Sequence, residues 1–121
     1  MSILPKRVMD NLIAVLTQEP SVEKVILFGS RARGDAKDHS DIDLALLGNG
    51  IPLSLHTKLR YAAGLYQLDI VRVYELEDTI LLSNIERDGV VIYSAEEAAA
   101  RLSVNQVQPS SPRVKLIEAS T

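Results

Sequence analysis

Asp41 and Asp43 are separated by a single isoleucine at the head of an apolar run, Asp41-Ile42-Asp43-Leu44-Ala45-Leu46-Leu47. In an extended strand alternate side chains share a face. Both carboxylates therefore project together, with Cα atoms roughly 6.5–7 Å apart, while Ile42 and Leu44 turn toward a core. Paired carboxylate oxygens suit a hard cation such as Mg²⁺, which is commonly held by one or two carboxylates and completed by substrate phosphates. An isolated pattern of this kind is equally what two solvated aspartates at a strand end look like, so the surrounding residues decide.

Two further features supply that context. Gly29-Ser30 ends the apolar run Val25-Ile26-Leu27-Phe28 and opens a short polar turn. A glycine there lets backbone approach a phosphate closely, and the following amides and the Ser30 hydroxyl can donate to its oxygens. Arg31 and Arg33 come next and are candidates to neutralise a triphosphate. Taken alone, Gly-Ser after a strand is an ordinary turn. Asp69 lies between Leu68 and Ile70 in an apolar stretch, where a buried ionised carboxylate needs a partner. On a strand beside Asp41 to Leu47 it could join the acidic pair as a third carboxylate. An ion pair with Arg72 or Arg60, or plain exposure, explains it as well.

The elements that must hold these groups follow from periodicity. Ile3, Leu4, Val8, Leu12 and Val15/Leu16 form a helical stripe over residues 3–17, with Pro5 in its first turn. Val22 to Phe28 reads as a buried strand, residues 30–40 as a short helical turn and loop, and Asp41 to Leu47 as a second strand. After the Gly48-Asn49-Gly50-Ile51-Pro52 turn, Ser54 is expected to cap a helix carrying Leu55, Leu59, Ala62/Ala63 and Tyr66. Leu68 to Tyr74 is a third strand. Asp78 should cap a helix through Arg87 that stops at Gly89, Val90 to Tyr93 a short strand, and Ser94-Ala95-Glu96-Glu97 a capping box opening an Ala-rich helix. From Ser103 the chain turns Ser-, Gln- and Pro-rich. Residues 1–102 are thus expected to form one α/β domain, a small mixed sheet with helices packed on it, and 103–121 a flexible or partner-binding tail.

Composition narrows the chemistry. With 46% hydrophobic and 24% charged residues among 121, the chain has the makeup of one globular domain. The absence of cysteine excludes disulfides, thiolate catalysis and cysteine-ligated zinc. His39, next to the acidic pair, could touch phosphate, and His56 opens a helix; a surface role is expected for each, without a two-histidine zinc motif. A net charge of −3 and a pI near 5.3 argue against broad, long nucleic acid binding. Five aromatic residues make a poor stacking platform for single strands. No membrane span or export signal is evident, which predicts a cytoplasmic protein.

Taken jointly, Gly29-Ser30, ten intervening residues, Asp41-Ile42-Asp43, the Arg31-Ala32-Arg33-Gly34 that follows the serine, and Asp69 on a later strand resemble the signature of the DNA polymerase beta-like nucleotidyltransferase superfamily. The resemblance covers about residues 4 to 97 and is greatest to the minimal nucleotidyltransferase antitoxins that accompany HEPN-domain toxins. It implies a nucleotidyltransferase fold, with Asp41, Asp43 and Asp69 as catalytic and metal residues around Mg²⁺, expected as two ions. Gly29 and Ser30 would hold the phosphates of ATP, assisted by Arg31 and Arg33, and Asp69 would also accept the acceptor's proton. It further implies an antitoxin that moves AMP to a tyrosine hydroxyl of a HEPN ribonuclease toxin, where an added phosphate would repel RNA, and a hetero-oligomer with that toxin or a homo-oligomer. The chain has little room beyond the catalytic fold, so another molecule is expected to carry the acceptor. Transfer to a small molecule such as an aminoglycoside, or toxin neutralisation by binding alone, remain the alternatives.

Overall fold

The computed structural model describes residues 3–37 and 40–106, with side chains to residue 100. His39 and the tail from residue 107 onward therefore lie outside the described residues. The first helix, α1 (Lys6–Leu16), buries Val8, Leu12 and Leu16, the stripe its spacing predicts. Pro5 precedes that helix rather than joining its first turn. Its extended ψ of 141° places it at the N-cap, where its carbonyl accepts from the Met9 amide at 3.0 Å.

The strand β1 (Lys24–Phe28) is followed by the four-residue helix α2 (Ser30–Arg33) and then β2 (Ile42–Leu47). A crossover through α3 (Ser54–Ala63) leads to β3 (Leu68–Arg72). A 3₁₀ turn at Val73–Glu75 takes up the residues expected to extend that strand. Helix α4 (Thr79–Asp88), β4 (Val90–Ser94) and α5 (Ala95–Gln106) complete the order. The four strands form a sheet in the order β3-β2-β1-β4. The β2–β3 pair is parallel, as a helical crossover requires, and the β1 pairings are antiparallel.

Helices α1 and α3 cover one face. Val25 and Leu27 of β1, Ile42, Leu44 and Leu46 of β2, and Leu68 of β3 join their buried leucines in one cluster. Alternation turns the neighbours of these residues, Asp43 and Asp69 among them, to the opposite face. That second face is only partly roofed: α4 packs against β1, and its buried residue is Ile85. The apolar demand of the first face thus fixes which side the carboxylates occupy, since a slip of one residue would bury them.

Two predicted caps fare differently. The Asp78 side chain accepts from the Leu81 amide at 3.0 Å and opens α4. Asp78→Ala should lower stability by about 1 kcal/mol, a fall in Tm of roughly 4 °C readable by calorimetry. Ser54, expected to cap α3, is instead its first helical residue, because Leu55 and His56 amides already donate to the Pro52 and Leu53 carbonyls at 3.0 Å. At the other end, the Ser94 hydroxyl accepts from the Glu97 amide at 3.4 Å, in keeping with the expected capping box. Helix α5 then runs on to Gln106, past the expected tail boundary at Ser103.

Candidate active site

Register brings the site together. Parallel pairing sets Asp43 of β2 directly beside Asp69 of β3, and antiparallel pairing sets Phe28 of β1 opposite Asp43. Gly29, the residue after Phe28, consequently abuts the Asp43 side chain. Its backbone sits at φ 78° and ψ −156°, and a Cβ there would collide with the Asp43 carboxylate. That conformation is almost confined to glycine. Glycine at this position thus lets the backbone pass directly against the Asp43 carboxylate.

Asp43 is partly buried, whereas Asp41, immediately before the strand, and Asp69 are exposed. Burial, the negative charges of Asp69 and Asp41, and a proton shared with Asp69 push the Asp43 carboxyl up to about 6, against the opposing pull of Arg33. Asp69 thus differs from the buried carboxylate its apolar neighbours suggested. It is an exposed group facing Asp43, and the candidate partner Arg72 is engaged elsewhere, donating to Glu75 at 2.9 Å and the Ile51 carbonyl at 2.6 Å.

Such a cluster suits a divalent cation. Oxygen is the only donor type in it, and like charges held together at a strand edge are relieved by a counter-charge. Among the described residues no three acidic or histidine side chains are already closed into a ligand cage. Asp43 and Asp69 meet, and Asp41 acts on Asp43 through charge alone.

The other predicted residues separate. Ser30 opens α2 directly after Gly29, and the first amides of a helix have no partner within it. Arg33 is exposed, 3.4 Å from Asp35, and its charge reaches Asp43. Arg31, expected beside phosphates, instead turns inward and is 7% exposed. Its guanidinium donates to the Ser40 carbonyl from Nε and Nη2, at 3.1 and 2.9 Å, and lies 5.1 Å from the Tyr66 ring centroid. A four-residue helix is too short for periodicity to show which arginine faces in, so the sequence carries no signal for this. His56 stands apart from the acidic cluster, 3.1 Å from Arg72. A cleft of about 720 Å³ between α1 and α3 is lined by Val15, Leu55 and Tyr61, and none of Asp41, Asp43 and Asp69 lines it. Its polar lining, Glu19 and Lys58 among it, gathers no set of carboxylates, whereas the sheet end pairs Asp43 with Asp69.

Comparison with known proteins places the chain in a family and a fold. Residues 10–98 match the family model described as polymerase beta, nucleotidyltransferase. A Methanocaldococcus jannaschii protein named as an inferred protein adenylyltransferase is 35% identical over 79 residues, covering 60% of this chain and 79% of that protein. Among solved structures, one chain of a toxin–antitoxin complex with AMP-PNP superposes with a TM-score of 0.59 at 22% identity, covering 93% of this chain and 98% of that one. One chain of the tri-AMPylated Shewanella oneidensis HEPN toxin in complex with MNT antitoxin gives 0.56 at 19%, covering 95% and 97%. At such identities these two likenesses speak for the fold. With a family match across most of its length and the acidic strand pair beside a glycine turn, the chain belongs to the polymerase beta nucleotidyltransferase family.

Proposed function

We propose that this chain is a Mg²⁺-dependent adenylyltransferase that moves AMP from ATP to a tyrosine hydroxyl of a HEPN-domain toxin, and so acts as an antitoxin. The observation that carries the reading is the meeting of Asp43 and Asp69, with Asp41 in charge reach, beside Gly29-Ser30. The relative named as a protein adenylyltransferase and the toxin–antitoxin complexes of similar fold support the donor and the partner.

In this reading Asp41, Asp43 and Asp69 hold Mg²⁺, expected as two ions, which would neutralise developing charge on the transferring phosphoryl group. Gly29 gives the backbone room, and the α2 amides with the Ser30 hydroxyl receive the phosphates. Arg33 adds a positive charge at the rim. The acceptor hydroxyl oxygen bonds to the α-phosphorus as the bond to pyrophosphate breaks, and its proton passes to Asp69, the exposed carboxylate on the edge strand. Tyrosine and ATP thus become AMP-tyrosine and pyrophosphate, with one proton released.

Incubation with each nucleotide labelled at the α-phosphate, Mg²⁺ and a HEPN toxin tests this directly. Label should pass from ATP to a toxin tyrosine and cease with EDTA. Label on an aminoglycoside instead would redirect the acceptor assignment. Toxin neutralisation without any label would leave a binding protein and sink the enzymatic reading.

A further inference from the structure

Arg31 is the only buried charged residue among the described residues. Besides Ser40 it reaches the Ile3 carbonyl, 3.4 Å from Nη1, and its plane lies over Tyr66. Two of these contacts, Ser40 and Tyr66, belong to segments that lead into the acidic cluster. Ser40 immediately precedes Asp41. Tyr66 sits in the turn before β3, where the Gln67 carbonyl accepts from the Ile42 amide at 2.9 Å and Asp69 follows two residues later. Arg31 itself directly follows Ser30. Between Gly34 and Asp41 the described backbone belongs to no helix or strand, and Ser40 there is held by Arg31 at its carbonyl and by the Lys37 carbonyl at its amide, 3.0 Å away.

Resting on the proposed function, we infer that Arg31 is a positioning residue of the transfer reaction: by fastening Ser40 and Tyr66 to the Ser30 turn, it sets where Asp41 and Asp69 stand relative to Asp43. Its planar guanidinium can serve two carbonyls and a ring face at once, which a lysine ammonium on its flexible stem cannot. The same engagement removes it from the phosphates. A triphosphate could recruit it only by releasing both carbonyls and leaving them unpaired, which is costly in a buried place. Arg33, outside this arrangement, is the arginine left at the rim.

The test compares Arg31→Lys and, separately, Tyr66→Leu with the wild type. The second variant keeps Arg31 and most of the ring's apolar bulk, so it carries the test even if the first does not fold. Mn²⁺ titrated alone should bind about 10–100-fold more weakly to either variant, and kcat for AMP transfer should fall by a similar factor, as for other groups that orient metal ligands. KM for ATP should stay within about twofold. Wild-type Mn²⁺ affinity and kcat in both variants would overturn the inference. So would a tenfold rise in KM for ATP in Arg31→Lys with Mn²⁺ binding intact, the mark of a phosphate ligand. A wild type that binds Mn²⁺ yet transfers no nucleotide defeats the proposed function alone, and the Mn²⁺ comparison still decides the role of Arg31. A wild type that binds no Mn²⁺ defeats both.

Discussion

Asp43→Asn should abolish AMP transfer, by about three orders of magnitude or ~4 kcal/mol of transition-state stabilisation, while making the metal-free protein more stable. The first effect follows from removing the central carboxylate, the one in contact with Asp69 and against Gly29. The second follows from what crowding does to it. Its carboxyl is pushed up to about 6 in the fold, against an ordinary value of 3.8. Below about pH 4 it is protonated folded or unfolded and contributes nothing. Between about 4 and 6 the unfolded chain gives up this proton while the folded chain keeps it. Stability therefore falls as pH rises, and the full penalty is present above about 6.

A shift of that size corresponds at most to about 3 kcal/mol, and solvent reaching this partly open face reduces it to about 1 kcal/mol. Urea unfolding at pH 4 and pH 7.5 checks the prediction. Wild type and Asp43→Asn should match at the lower pH, and the variant should be the more stable at the higher. Added Mg²⁺ should then stabilise the wild type and leave the variant unmoved. Equal stability at both pH values would remove the argument that the acidic cluster is under electrostatic stress.

Gly29→Ala should be nearly as damaging, for a steric reason. The added methyl group would meet the Asp43 carboxylate, and alanine resists φ 78° with ψ −156°. Together these should cost about 2–4 kcal/mol of stability and lower transfer by at least about 100-fold, since displacement of Asp43 disturbs the reacting geometry. A double-mutant cycle separates the two causes. With Asp43→Ala in the background the collision disappears and only backbone strain remains, so Gly29→Ala should become cheaper by about 1–2 kcal/mol. Full additivity would show that the glycine is needed for its backbone alone. Ser30→Ala, by contrast, should weaken transfer about tenfold through one lost hydrogen bond while thermal melting stays unchanged.

Local rules carried much of this in the chain itself. The strand period that buries Ile42 and Leu44 also throws Asp41 and Asp43 to the other side, and a carboxylate followed by helix formers let Asp78 be read as a cap. The Gly29-Ser30 turn and its spacing to the acidic pair were legible because a strand end, a glycine and a short polar turn are local properties. Element ends were less so. The departure of the chain into a 3₁₀ turn at Val73, the start of α3 ahead of Ser54, and the run of α5 to Gln106 depend on backbone hydrogen bonds and packing that residue types do not reveal.

What the amino-acid sequence determined by itself, then, was the inventory of groups and the face each would occupy, since both follow from spacing along one chain. Only the tertiary structure decided which groups meet. The parallel register of β2 against β3 sets Asp69 beside Asp43 as an exposed partner, and residues far apart in the chain, Ile3, Ser40 and Tyr66, draw Arg31 inward. The physical reason is that pairing register and burial are properties of the whole core. They are set by how α1, α3 and the sheet close on one another, a sum over distant contacts that no short window of residues contains.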